Sequence, residues 1–197
     1  MALTPAAAAA TGRLVRAGEE RHVAERRLVR DAQRGSVEAL ETLFRREWPR
    51  AYRAAYLVVH DAAVAEDIAQ EAFLAAVRAL DRFDRRRPFG PWMHRIAVNR
   101  AIDVSRARAL RREVDAVAAA PEQAPPDRPS LPFSDELLRA LRELGPEQRA
   151  IVALRYLFEY TPGEIARALG LPRGTVNSRM RRALDRLAEL LPEEGGR

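Results

Sequence analysis

The 197-residue chain is long enough for one or two small domains, and it has no cysteine, which excludes disulfides, thiolate catalysis and Cys-based zinc sites. Its three histidines, His22, His60 and His94, are widely spaced, no segment has the apolar length of a membrane span, and no Gly-rich phosphate loop is present; no metal, cofactor, small-molecule substrate, membrane insertion or enzymatic chemistry is expected. All 34 basic residues are arginine, the net charge is +6 and the sequence pI is about 10.7, a surface suited to phosphate, guanine and a polyanionic partner.

Residues 1–25 hold an alanine run, Ala6 to Ala10, without the basic start of a signal peptide, and are expected to form a frayed tail. From Arg26 the pattern is helical and stops at Gly35. Ser36 is placed to cap a second helix carrying Leu40, Leu43, Phe44 and Trp48. Pro49 is expected to kink or restart it, with Tyr52, Ala55, Tyr56 and Val59 continuing the apolar stripe to His60. Asp61 is a good N-cap for a third helix, Ala62 to about Leu80.

In that third helix Ala65, Ala69, Ala72, Phe73, Ala76 and Leu80 share one side, the expected core face. Asp67, Gln70, Glu71 and Leu74 share the other, a face suited to docking a basic partner helix. Asp61 to Asp81 holds five acidic residues and one arginine, and the sign then reverses: Arg82 to Arg112 holds ten arginines against Asp84 and Asp103. The stretch Arg82 to Pro91, RFDRRRPFGP, is expected to be a loop, because Gly90 and two prolines oppose a continuous helix. Arginines there can track phosphates and aromatic rings can stack on unpaired bases. In the following helix Trp92, Ile96, Asn99, Asp103 and Leu110 share one face, expected to be the core face, with Asn99, Asp103 and Arg106 bonding each other or neighbouring helices. His94, Ser105, Arg108 and Arg112 point the other way, toward phosphate.

Residues 113–133 are expected to be a flexible linker, since the stretch to Ser134 contains five prolines and little bulky apolar content. A structureless segment of this length argues for two domains. Ser134 caps the next helix, with Leu137, Leu138, Leu141 and Leu144 inward; Gly145 ends it, and Pro146 opens another that buries Ile151, Val152, Leu154 and Leu157. Thr161 and Glu164 form a T-x-x-E capping box with Pro162 at the first helical position. Gly170 ends that short helix and Pro172 opens the last one. In the last helix Val176, Met180, Ala183, Leu184 and Leu187 face inward. Arg173, Gly174, Thr175, Asn177, Ser178, Arg181 and Arg182 offer small, hydroxyl, amide and guanidinium groups outward, the chemistry that reads base edges and phosphates in a major groove. Residues 192–197 have nothing to pack.

Two stretches of the first half, AEDIAQEAFLAAVRAL at 65–80 and FGPWMHRIAVNRAIDVSR at 89–106, resemble region 2 of bacterial sigma-70 family initiation factors. LGPEQRAIVALRY at 144–156 and EIARALGLPRGTVNSRMRRAL at 164–184 resemble region 4 of the same family, and the extracytoplasmic-function (ECF) type fits best. The resemblance implies an all-α chain of two small helical domains, region 2 at 26–112 and region 4 at 134–191, with no extended region 1.1, region 3 or fused C-terminal sensor. It implies a promoter-specificity subunit, not an enzyme, that works in the cytoplasm with polymerase core and promoter DNA. Asp67, Gln70, Glu71 and Leu74 then dock on the coiled coil of the largest core subunit. Arg85, Arg86, Arg87, Phe89, His94, Arg108 and Arg112 engage the −10 element. Region 4 meets the flap of the second-largest subunit and places Arg173, Gly174, Thr175, Asn177, Ser178, Arg181 and Arg182 in the −35 major groove. The family also implies an anti-sigma protein, through which the chain can be held at a membrane.

The competing reading is a helix-turn-helix regulator with an N-terminal helical sensor domain. Such a regulator would not make core polymerase initiate, so run-off transcription separates the two.

Overall fold

The computed structural model describes residues 23–114 and 133–191, without the side chains of 112–114. The expectations for residues 1–22, most of the linker and the last six residues lie outside the described residues. Among the described residues the fold is all-helical. Helix α1 spans 23–33, α2 Val37–Val59, α3 Ala62–Arg78 and α4 Phe89–Val114, with a 3₁₀ turn at Leu80–Arg82. The second half contains α5 (Asp135–Arg142), α6 (Pro146–Tyr156), α7 (Pro162–Leu169) and α8 (Arg173–Leu190).

Local chemistry places most of the boundaries. The hydroxyl of Ser36 accepts from the Ala39 amide at 3.1 Å, Asp61 Oδ1 from the Val64 amide at 3.0 Å, and Ser134 Oγ from the Leu137 amide at 3.2 Å. At α7 the capping box is reciprocal: Glu164 Oε2 accepts from the Thr161 amide at 2.8 Å while Thr161 Oγ1 accepts from the Glu164 amide at 3.3 Å. Gly170 ends α7 in the left-handed region, at φ 65°. Pro172 stands one place earlier than expected, as the N-cap of α8 and not its first residue.

The first half packs α2, α3 and α4 around a small-residue seam. Ala54, Ala55, Ala65, Ala69, Ala72, Ala76, Ala97 and Ala101 are all buried, which lets the helix backbones approach closely, and Leu43, Ile68, Phe73, Met93 and Val98 fill the remaining space. The expected core face of α3 is buried in full.

Other expectations are corrected. Helix α2 does not restart at Pro49 but runs through it, held on either side by the buried Leu43 and Ala51. The irregular segment after the 3₁₀ turn is shorter than expected, because α4 already begins at Phe89. Gly90 and Pro91 fall in its first turn, where a missing N–H has no helical partner to lose. The buried arc of α4 is Met93, Ala97, Val98, Ala101 and Ile102, since the helix packs on both α2 and α3. The Trp92 face is only half-buried at Trp92, Ile96 and Asn99, and Leu110 is 64% exposed. In α8, Leu184 is likewise 38% exposed, while Val176, Ala183 and Leu187 are buried as expected.

The two halves touch. Helix α6 packs on α2 and α4, and α7 on α4. The Phe158 ring stacks on the His94 imidazole at 4.1 Å, and the Asn99 amide donates to the Ala168 carbonyl at 3.2 Å. Arg149 Nη2 donates to Ser105 Oγ at 3.0 Å, and Arg106 pairs with Glu147, which holds that carboxyl below its usual range.

Candidate docking and nucleic-acid surfaces

Helix α3 presents Asp67, Gln70, Glu71 and Leu74 together, all exposed, because every residue on its other side is committed to the core. Leu74 is 46% exposed on that otherwise polar strip, and Glu71 Oε2 accepts from Arg100 Nε of α4 at 2.8 Å. The strip is a shallow acidic ridge with one apolar foothold, suited to a basic helix.

The residues expected to meet the −10 element do not form one surface. Arg85, Arg86 and Arg87 are exposed in the short loop, which Asp84 orders: its Oδ1 accepts from the Arg86 amide at 3.0 Å and its carbonyl from the Arg87 amide at 3.0 Å. Phe89, expected to be available to bases, is 1% exposed instead, because its ring packs against Phe83 at 5.7 Å and Trp92 at 5.6 Å. His94 is also buried, against Glu47 below and Phe158 above. Arg108 is half-buried and donates to Asp61 Oδ2 at 3.0 Å. The Arg112 side chain lies outside the described residues.

Behind the loop is a buried polar network that sequence reasoning did not find. Glu25 accepts from the Phe89 amide and pairs with Arg46 at 3.1 Å; Arg46 reaches Glu47 Oε1 at 3.1 Å; Glu47 Oε2 lies 3.2 Å from His94 Nε2; and His94 Nδ1 is 3.4 Å from the Tyr160 hydroxyl. Burial works to raise the Glu47 carboxyl, but His94, Arg46 and Arg50 outweigh it and keep it below the usual range. Burial pulls His94 down, and Glu47 opposes this only in part. The consistent state is an ionised Glu47 beside a neutral His94; Oε2 and Nε2 approach to 3.2 Å without the alignment of a hydrogen bond. The sequence did carry a signal: Leu43, Glu47 and Ala51 are spaced by four, so a carboxylate sits on an apolar stripe.

The outward face of α8 is as expected. Arg173, Gly174, Asn177, Ser178, Arg181 and Arg182 are exposed and Thr175 is half-buried. In the free chain Ser178 Oγ donates to the Thr175 carbonyl at 3.0 Å and Arg182 Nε to the Ser178 carbonyl at 3.3 Å. Those weak intrahelical bonds leave both groups available to a ligand. No side chain caps α8, so its first amides face outward as well.

This two-domain all-helical chain, with an acidic ridge on α3 and a helix-turn-helix at α7–α8, belongs to the sigma-70 family. The family profile for sigma-70 region 2 matches residues 43–113, and that for sigma-70 region 4 matches residues 134–187. The RNA polymerase sigma factor CarQ of Myxococcus xanthus is 35% identical over 164 residues, 81% of this chain and 92% of CarQ. The ECF RNA polymerase sigma factor SigW of Bacillus subtilis is 30% identical over 176 residues, 83% of this chain and 94% of SigW. A solved structure of CnrH in complex with the cytosolic domain of CnrY is similar at 29% identity and a TM-score of 0.64, covering 87% of this chain and 99% of CnrH. Within the family the chain is a sigma factor of the ECF type, a transcription initiation factor that binds core polymerase and promoter DNA, not an enzyme.

Proposed function

We propose that the two halves divide promoter recognition between them. The α3 ridge of Asp67, Gln70, Glu71 and Leu74 docks on the coiled coil of the largest core subunit. Arg85, Arg86 and Arg87 track the phosphates of the −10 element as it opens, with the exposed arginines of α4 beside them. Helix α8 enters the −35 major groove, where Arg181 and Arg182 reach bases or phosphates and Asn177 and Ser178 read at closer range. Phosphate contacts supply position and affinity, and a few base contacts supply specificity.

The observation that carries this reading is the division of α3 and α8 into one face buried in the core and one polar face left open. Phe89 and His94, being buried, serve the −10 domain by shaping it; His94 would meet a base only if the halves part, and Phe89 is covered from within its own half by Phe83 and Trp92. CnrH is known in complex with the cytosolic domain of another protein, and by analogy this chain works in the cytoplasm under an anti-sigma partner. No described helix is long and apolar enough to cross a membrane.

The test is run-off transcription by core polymerase with and without the chain, with transcript 5′ ends sequenced. Starts that share paired upstream motifs, lost with Glu71→Arg and re-ranked with Arg182→Ala, are the expected result. Loss of both effects would refute the division of labour.

A further inference from the structure

A second site lies where the two halves meet, away from the docking ridge and from α8. It is a cavity of about 290 Å³ walled by the end of α2, the middle of α4 and the α5–α6 corner. Its polar lining is His60, Ser105, Arg108, Arg142 and Arg149. His60 is the C-cap of α2, in the left-handed region at φ 55°, with its ring edge-on to Tyr56. The residue is only 6% exposed, and neither ring nitrogen has a hydrogen-bond partner among the described residues. A buried imidazole with no protein partner is costly unless something else supplies one.

The surroundings define the missing chemistry. Arg149 joins the two halves through Ser105 at 3.0 Å and also donates to the Arg142 carbonyl at 3.4 Å. Arg108 contributes a third guanidinium, and the carboxylate it bonds, Asp61, also caps α3. Burial, then Arg149 and Arg142, push the His60 imidazole down to about 3; burial penalises charge of either sign, and it is the two guanidiniums that favour an anion there. A carboxylate offers its acceptors in one plane, whereas these donors come from three elements and suit a tetrahedral anion. A DNA duplex cannot enter a cavity of this size.

We propose that this cavity binds a small phosphate-class dianion, free phosphate or the terminal group of a phosphomonoester, held by His60, Arg108, Arg142 and Arg149. Because its donors come from both halves, the bound anion holds α4 against the α5–α6 corner and favours the closed chain. The site is independent of promoter recognition: it would exist whether or not α8 reads the −35 element.

The full chain is titrated calorimetrically with sodium phosphate and, separately, with glycerol 3-phosphate, in chloride at matched ionic strength. One saturable site for at least one of the two is expected. Saturation by inorganic phosphate identifies the free anion as sufficient; saturation by glycerol 3-phosphate alone identifies a monoester. His60→Asn keeps a residue that accepts the left-handed backbone, and Arg142→Glu changes an exposed side chain, so the second variant decides the matter if the first folds poorly. Each is expected to weaken binding by at least about tenfold, as loss of a charge-assisted bond does. Arg45→Ala, on the exposed side of α2, is expected to bind as the wild type does. Amide exchange should slow with phosphate in both the 100–109 and 142–149 segments. Absence of saturable binding, or equal affinity in all variants, overturns the site; protection on one side alone overturns the bridging.

Discussion

Reversing the charge of Glu71 separates docking from folding. Its carboxylate accepts from Arg100 at 2.8 Å, but the two side chains are 56% and 50% exposed, so the pair contributes at most about 1 kcal/mol. Glu71→Arg removes that pair and sets two guanidiniums side by side, for a total cost below about 2 kcal/mol. At roughly 2–4 °C per kcal/mol for a chain of this size, melting should fall by less than about 8 °C. At a docking contact the same reversal faces a basic helix, and breaking a desolvated charge pair costs about 2–5 kcal/mol, roughly 30-fold to several thousand-fold in affinity. The assay is fluorescence anisotropy of the labelled chain with core polymerase, beside a circular-dichroism melt. A variant that melts normally and binds core within twofold of the wild type would sink the docking assignment. A collapsed melt would instead show that the Arg100 pair carries far more of the fold than its exposure indicates.

Arg182→Ala should weaken transcription from −35-dependent promoters by about 1–3 kcal/mol if its contact is bidentate to guanine; an equal loss on promoters with a scrambled −35 sequence would mean that Arg182 touches phosphate alone. Gly90→Ala places a Cβ 2.8 Å from Glu47 Oε2, which pushes that carboxylate against His94 and should destabilise the chain by about 1–3 kcal/mol in urea unfolding; an unchanged midpoint would show that Glu47 can swing aside freely. Acid should destabilise the chain before its carboxylates titrate. His60 binds a proton at about 3 when folded and at its ordinary 6.5 when unfolded, so the unfolded chain takes up the proton first and stability drains as pH falls from about 6.5 toward 3. His94, lowered by burial, acts in the same direction, and the depressed Glu47 adds its loss below about 4.5. In phosphate-free buffer, His60→Asn should therefore lose less of its urea midpoint between pH 7.5 and 5.5 than the wild type does; an equal loss would remove His60 from that account.

What was legible in the sequence is what local chemistry decides. Ser36, Asp61, Ser134 and the Thr161–Glu164 pair mark helix starts because a side-chain oxygen at those positions satisfies amides that no other residue can reach. The inner face of α3 was legible because four alanines and a phenylalanine repeat at helical spacing. Helix α4 was misread because its period is blurred: it contacts α2, α3, α6 and α7, so apolar residues occur around most of its circumference, with Trp92 half-buried against Phe83 and Phe89 and Ile96 half-buried beside the end of α7. The burial of His94 could not be foreseen either. It depends on Glu47 from α2 and on Phe158, 64 residues further along the chain, meeting at one point, and no pattern within a single helix records that meeting.

The contact between the halves bears on how such a chain can work. From −35 to −10 is 25 base pairs, which at 3.4 Å each is about 85 Å. A compact body of the size described here is only about 40 Å across. If α8 reads the −35 element and the Arg85–Arg87 loop the −10 element, as proposed, the closed arrangement cannot place both at once, and the halves must part. Opening gives up a ring stack, two hydrogen bonds and an ion pair, together with the packing of α6 on α2 and α4 and of α7 on α4, a cost that docking on core polymerase has to exceed. An anion seated at His60 would raise it. If both proposals hold, opening is the step at which core polymerase and a small anion act on the same equilibrium from opposite sides, and each changes the chain's activity without touching a DNA-reading residue.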